Sequence, residues 1–142
     1  MDKKLKQYCD RLQEEAKIAE TSLARVRQHL FAPEATSLAD WKALLRLAAL
    51  KCQAKREQAE QAGQRVKVWL EEMQHGAGVP FDDSNLDGEV SKAEQQADRE
   101  EGLALDAMLV AAHAALQAEA ALLKAFKTRR NALDLERFRD VF

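Results

Sequence analysis

The sequence contains few residues that would interrupt a helix. Only two prolines and five glycines occur among 142 residues, and aromatic residues make up 6% of the chain. Ala, Leu, Glu, Gln and Lys, which are among the strongest helix formers, are abundant instead. The composition therefore favours an all-α protein.

The chain also lacks an excess of either charge. Lysine and arginine total 22 against 24 acidic residues, which gives a formal net charge of −2. This balance argues against bulk nucleic acid or an anionic membrane as the main partner. The one dense basic cluster is consistent with cations at a helix C-terminus, where the helix dipole favours them. Its members are Lys124, Lys127, Arg129 and Arg130.

No recognisable catalytic or phosphate-binding motif is present. The sequence has no Gly-rich phosphate loop, no Ser-centred elbow and no Cys–His pairing with a base. Glu72 and His75 have the ExxH spacing of di-iron bundles, but such sites need a second ExxH, which the sequence lacks. His29 and His113 have no partner at ligand spacing, so we expect solvent-facing rings. We expect no enzymatic activity and no cofactor.

No apolar run follows the basic residues near the N-terminus, so we expect no signal peptide. The most apolar stretch, Leu103 to Phe126, is interrupted by polar and charged residues, which argues against a membrane span. These residues are Asp106, His113, Gln117, Glu119 and Lys124. We therefore expect a cytoplasmic protein.

The sequence does contain a long heptad pattern. Mostly small or apolar residues alternate at four- and three-residue steps in two runs, a period typical of long helices that share a seam. The first run is Leu5, Cys9, Leu12, Ala16, Ala19, Leu23, Val26 and Leu30. The second run is Leu38, Trp41, Leu45, Ala48, Cys52, Lys55, Ala59, Ala62, Val66, Trp69 and Met73.

Turn and capping signals divide the chain into helices. Pro33 disfavours helical geometry just before it, and Ser37 is placed to cap the helix that follows. Gly102 is the expected position of a kink or break in a long third helix. The predicted helices span residues 2–31, 38–75 and 86–130, and a short helix covers the tail at 131–142. We expect one domain, residues 1–142, folded as an elongated antiparallel three-helix bundle or coiled coil.

The heptads also predict contacts between helices. If Leu30 lies opposite Leu38, the sulfurs of Cys9 and Cys52 are roughly 10 Å apart, too far for a disulfide. We therefore expect two reduced, buried thiols.

Lys55 occupies a core position in the second run, where a polar residue often fixes register. If the second and third helices are antiparallel, we expect a partly buried ion pair between Lys55 and Asp106. The third helix has a leucine face and an alanine face, so we expect most of its circumference to be buried. The leucines are Leu105, Leu109, Leu116 and Leu123; the alanines are Ala104, Ala107, Ala111, Ala114, Ala118, Ala121 and Ala125.

One segment, residues 83–94, carries a ligand pattern and resembles the twelve-residue calcium loop of the EF-hand family. The resemblance implies a sharp turn at Gly88 and Ca²⁺ bound by oxygen atoms. The implied ligands are Asp83, Asn85, Asp87, Glu89 through its carbonyl, Ser91 and Glu94. Alternatively, Ser84 and Asp87 form a capping box at a helix start, where acidic residues are favoured.

The tail ends in apolar residues that fall on one side of its helix. These are Leu135, Phe138, Val141 and Phe142. They either fold back over the bundle end, which we expect, or dock on a partner. We predict a non-enzymatic protein-protein interaction or assembly module, of the chaperone or adaptor kind, that binds another protein or a second copy of itself. The alternative is a calcium-responsive helical protein.

Overall fold

The computed structural model describes residues 2–75 and 86–141 and confirms the all-α three-helix fold. Helix α1 spans Lys3–Phe31, helix α2 spans Leu38–His75 and helix α3 spans Leu86–Val141. A 3₁₀ turn, Pro33–Ala35, lies between α1 and α2. The observed bounds of α2 equal the predicted ones.

Local side-chain contacts explain where the first two helices begin. The carboxylate of Asp2 accepts a hydrogen bond from the backbone amide of Lys4 at 3.4 Å. Ser37 Oγ accepts one from the amide of Asp40 at 3.2 Å. Both contacts satisfy amides that have no partner within the helix. The expected cap at Ser37 is thus present.

Helix α3 is longer than the sequence predicts. It continues through Gly102 and through the tail as far as Val141, so the tail is neither a separate helix nor folded back over the bundle. A Cβ atom at Gly102 would meet no atom of another element within 4 Å, so packing does not require a glycine at this position. An ion pair between Arg130 and Asp134, one turn apart, spans the predicted boundary at 3.3 Å.

Helix α3 packs against both α1 and α2. The three helices form an up-down-up bundle, as the pairs between them show. Lys4 lies near Asp98 and Arg25 lies near Glu119, so α1 and α3 run parallel. Between these two ion pairs the residue number increases by 21 in α1 and by 21 in α3, so the register of the two helices is the same at both pairs. Helix α2 runs antiparallel to the other two.

The predicted pair between Lys55 and Asp106 is wrong. The carboxylate of Asp106 instead accepts two hydrogen bonds, both of 2.8 Å, from the guanidinium of Arg65. Lys55 Nζ bonds both carboxylate oxygens of Glu15, at 2.7 and 2.9 Å. Relative to the expected register, α3 is displaced by four residues at the contact between Cys52 and His113 and by ten residues at the contact between Arg65 and Asp106. A two-pronged arginine contact is among the strongest polar pairs available to a carboxylate.

The α1–α2 hairpin is antiparallel, close to the expected register. Besides the Glu15–Lys55 pair, the rings of His29 and Trp41 meet edge-on with centroids 5.7 Å apart. With Leu30 opposite Leu38, His29 would face Ala39, so the observed register differs from the expected one by two residues. Both cysteines are free thiols and half-buried.

The core lies along the α2 heptad and the leucine face of α3. Its densest part is the cluster of Trp41, Ala48 and Leu123, against which Leu44, Leu45, Ala120 and Phe126 pack. All four leucines of the predicted leucine face are buried. The second heptad run is confirmed as a core seam from Leu38 to Trp69, whereas Met73 at its end is exposed.

The seam of α1 is rotated from the one predicted. Leu23 and Leu30 are exposed, and Ser22 is the one fully buried residue of α1. Ser22 is small, so α3 can approach α1 closely at this point. The resulting inward column contains Tyr8, Glu15, Ser22 and His29, spaced seven residues apart.

The alanine face of α3 is exposed rather than buried. All of its alanines from Ala107 onward are exposed, and Ala104 is half-buried. The expectation that α3 is buried over most of its circumference is therefore wrong, because α1 and α2 lie on one side of it. The chain has an accessible surface of 10652 Å², against roughly 7,400 Å² for a compact monomer of this mass. The bundle is thin.

Helix α3 is long and apolar enough, by length and composition, to cross a membrane, and 33% of its most apolar stretch is buried in the bundle. A core helix of a soluble protein passes the same test, so this finding is weak evidence for a membrane span. Asp106 and Glu119 of this helix are both ion-paired with arginines of the other helices.

We predict that Leu123→Ala costs about 2–5 kcal/mol of unfolding free energy because it empties the densest part of the core. The matched control is Leu50→Ala, the same change at an exposed position of α2, which should cost under about 0.5 kcal/mol. Urea unfolding followed by circular dichroism measures both. Equal losses would contradict this placement of the core.

Candidate interaction surfaces

A polar network joins α1 to α3 inside the bundle. The Ser22 hydroxyl lies 2.6 Å from the Glu119 carboxylate and 3.0 Å from the carbonyl oxygen of Ala115. The Arg25 guanidinium donates to both carboxylate oxygens of Glu119, at 2.7 and 3.0 Å. Glu119 is buried, so these contacts compensate for the loss of water around its charge.

The electrostatics of the network favour an ionised Glu119. Burial alone would raise the pKa of this carboxyl, but hydrogen bonds from Arg25 and Ser22, with the charges of Arg25 and Lys51, lower it below its ordinary value. The hydrogen bond to Glu119 raises the pKa of Arg25. The ion pair between Arg25 and Glu119 therefore joins α1 to α3. The lowered pKa keeps the Glu119 carboxyl ionised at neutral pH, so it is not suited to donate a proton.

A cysteine and a histidine meet between α2 and α3. Cys52 Sγ lies 3.6 Å from His113 Nε2, and both residues are half-buried, so His113 does not face solvent as expected. None of the three cavities described for this bundle is lined by either residue. The contact joins α2 to α3.

The residues of the EF-hand-like segment lie on the first turns of α3 where they are described. Asp87, Glu89, Ser91 and Glu94 are all helical, and no described glycine, including Gly88, has a positive φ. An EF-hand loop needs a sharp turn at this glycine. Asp83 and Asn85 lie outside the described residues, so the calcium hypothesis stays a prediction. Asp87 and Glu89 lie in the first turn, where the helix dipole favours acids.

Among residues 2–75 and 86–141, no group of three or more His, Cys, Asp or Glu side chains is placed to hold a metal ion. Glu72 of the ExxH pair forms an ion pair with Arg99, and the side chain of His75 lies outside the described residues. Glu72 is thus engaged in joining α2 to α3.

A groove opens at the end of the bundle where α1 turns into α2. It has a volume of about 530 Å³ and combines aromatic, aliphatic and arginine side chains; we call it the end groove. Its lining consists of Pro33, Glu34, Trp41, Phe126, Arg129, Arg130, Leu133 and Arg137. Arg129 and Arg137 form no ion pair with a described residue, so the end groove suits an apolar ligand with negative charge at its edge.

The predicted partner-binding residues project beyond this groove. Helix α3 continues past the start of α2, and Leu135, Phe138 and Val141 are 60%, 63% and 77% exposed. Phe142 lies outside the described residues. On the nearby turn, Phe31 at the end of α1 is 92% exposed. We call residues 131–141 the α3 arm.

Two polar atoms at this end of the bundle lack hydrogen bonds. His29 Nε2 and Arg130 Nε are buried without a hydrogen-bond partner among the described residues. Arg130 lies 3.3 Å from Asp134, but the geometry is too poor for a hydrogen bond. Unsatisfied buried polar atoms are uncommon in folded proteins.

A second groove, of about 540 Å³, lies between α1 and α2. Ile18, Ala54 and Leu116 provide its apolar lining, and Lys17 and Lys51 are among its basic residues. Arg25 and Lys55 also line this groove, but both are already paired with acids of the bundle. The end groove adjoins the exposed apolar side chains of the α3 arm, so it is the better candidate for a docking site.

Comparisons with models of protein families, with curated proteins and with solved structures gave no match to this chain.

We predict that Glu119→Gln lowers the unfolding free energy by about 1–3 kcal/mol at pH 7, since it removes a buried charge partner of Arg25. Because the folded-state pKa of Glu119 is lowered, its contribution is complete above the ordinary value near 4.5 and is lost as the pH falls through the folded-state pKa. The difference between the two proteins should therefore shrink below about pH 4.5. Urea unfolding across pH 3–7, with the exposed Glu57→Gln as control, measures it.

We predict that calcium gives no saturable heat in a calorimetric titration up to millimolar concentration, because the backbone from Leu86 onward is already helical. The exposed Glu94→Ala variant provides the comparison. Heat in the native chain that disappears in Glu94→Ala would instead support the EF-hand hypothesis.

Proposed function

We propose that this chain is a non-enzymatic interaction module that binds another protein, or a second copy of itself, through the end groove and the α3 arm. The observation that supports this most is the exposure of Leu135, Phe138 and Val141 on a helix that extends past the bundle. Solvent-exposed apolar side chains that cluster next to a groove are typical of interaction sites.

The surroundings of the arm agree with this proposal. Leu133 links the arm to the end groove, where the half-buried Phe126 packs against the core residue Trp41 with ring centroids 5.0 Å apart and ring planes tilted by 49°. Aromatic side chains and arginines are enriched at the centres of protein interfaces.

The preferred partner has a definite chemistry. Because Arg129 and Arg137 are exposed at the rim of an apolar groove, we expect an amphipathic helix with acidic residues beside its apolar stripe. Its binding should weaken with added salt, since these rim charges are exposed to solvent.

Site-specific photo-crosslinking tests the proposal. We expect Phe138→p-benzoylphenylalanine to give a discrete adduct in cell extract, and the same probe at the exposed Gln53 of α2 to give none. Adding Leu133→Ser and Val141→Ser should abolish the adduct, because both side chains are exposed and their loss leaves the core intact. The adduct mass distinguishes a second copy from another protein.

Identical adducts from positions 138 and 53, or no adduct from position 138, would contradict the proposal. Circular dichroism melts of every variant separate a lost contact from a lost fold.

A further inference from the structure

The exposed side of α3 carries a second heptad. Fifteen residues follow one another at alternate four- and three-residue steps over almost the whole helix, and we call them the outer seam. They are Leu86, Val90, Ala93, Ala97, Glu100, Ala104, Ala107, Ala111, Ala114, Ala118, Ala121, Ala125, Thr128, Ala132 and Leu135. All are exposed except Ala104 and Ala132, which are half-buried.

Helix α3 therefore has two seams on nearly opposite sides. The inner seam is buried against α1 and α2 and contains Leu105, Leu109, Ala112, Leu116, Glu119 and Leu123. A sustained heptad of apolar and small residues is typical of a helix that packs against another helix. Within the described residues, α1 and α2 cover the inner seam, so this chain supplies no helix for the outer one.

We propose that the outer seam pairs with the α3 helix of a second copy, antiparallel and about a two-fold axis. This inference rests on the proposed role as an interaction module and names the partner of a second surface. The bundle then becomes one half of a symmetric dimer in which the two α3 helices lie side by side.

The orientation follows from the distribution of charge. From Leu86 to Glu101, α3 carries six acids and two bases; from Lys124 to Val141 it carries six bases and three acids. A parallel pair would bring like charges together, and an antiparallel pair brings opposite charges together at both ends.

The register follows from the sizes of the residues. With Val90 facing Leu135 of the second copy, the larger apolar residues meet near the ends and alanines meet alanines through the middle. Alanine at both seam positions lets two helices approach to about 8 Å, the short end of the usual range. In this register Glu94 and Glu100 of one copy lie near Arg129 and Lys124 of the other, and symmetry repeats this contact.

The available area is sufficient for a dimer. The outer seam spans residues 86–135, about 75 Å at the helical rise. A contact strip about 10 Å wide then buries roughly 750 Å² per copy, close to the roughly 800 Å² per partner of a standard interface. The exposed surface of this thin bundle is large enough to provide it.

A lipid bilayer is the competing environment for this face. Glu94, Glu100, Lys124 and Arg129 are charged and lie on or beside the seam. Charges are expensive in hydrocarbon, whereas a second copy pairs acid with base. The charge pattern therefore favours the dimer.

Sedimentation equilibrium of the full chain at about 1–100 μM tests the proposal with charge-reversed variants. Glu94→Lys with Glu100→Lys reverses the acidic half, and Lys124→Glu with Arg129→Glu reverses the basic half. We expect each variant alone to dimerise at least about tenfold more weakly than the native chain, since four contacts per dimer become repulsive.

An equimolar mixture of the two variants should form a heterodimer of native strength, because every contact then joins opposite charges. The matched control is Glu57→Lys with Glu71→Lys, the same charge change on the exposed side of α2, which should dimerise like the native chain. Melting curves confirm that each variant is folded.

A monomer at all concentrations, a dimer unaffected by both reversals, or sedimentation with neutral lipid vesicles in place of dimerisation would overturn the proposal. The acid-reversed variant leaves the end groove intact, so the two proposals fail separately. An adduct from position 138 without a dimer refutes the outer-seam pairing alone; a dimer without that adduct refutes the end-groove role alone.

Discussion

The hydrogen bonds that Glu119 accepts from Ser22 and Arg25 determine how α1 lies on α3. A buried carboxylate must be satisfied, and these two donors can reach it only when α1 turns its Ser22 column inward. That rotation leaves Leu23 outside the core. It also keeps α1 on the same side of α3 as α2, so the opposite side of α3 stays uncovered.

The sequence predicts α2 well because its signals are local. The Ser37 cap and an uninterrupted heptad determine its start and its buried face without help from other helices. Registers between helices were predicted less well, since they depend on which acid pairs with which base. Several acidic residues are candidates to pair with Lys55, and no local sequence rule indicates that Glu15 rather than Asp106 is its partner. The break expected at Gly102 is absent because one glycine does not interrupt a helix whose neighbouring residues are strong helix formers.

The candidate surfaces were partly predictable. The apolar side of the α3 arm is visible in the spacing of Leu135, Phe138 and Val141, but the end groove depends on the α1–α2 turn meeting α3. The alanine face of α3 is visible in the sequence, but its exposure depends on the topology, which places α1 and α2 on the other side of the helix. Tyr8, Glu15, Ser22 and His29 are spaced seven residues apart in the sequence. They form an inward polar column, which a search for apolar heptads does not detect.

This polar column has a consequence for the dynamics of the bundle. Helix α1 has Ser22 as its one fully buried residue and is joined to α3 by the hydrogen bonds and ion pair of Glu119, whereas α2 and α3 share the tryptophan and leucine core. Local opening follows the distribution of buried apolar contact, so amide hydrogens of α1 should exchange with solvent sooner than those of the core helices. The α2–α3 hairpin is then the persistent framework, and α1 is the helix whose attachment responds to salt and acid.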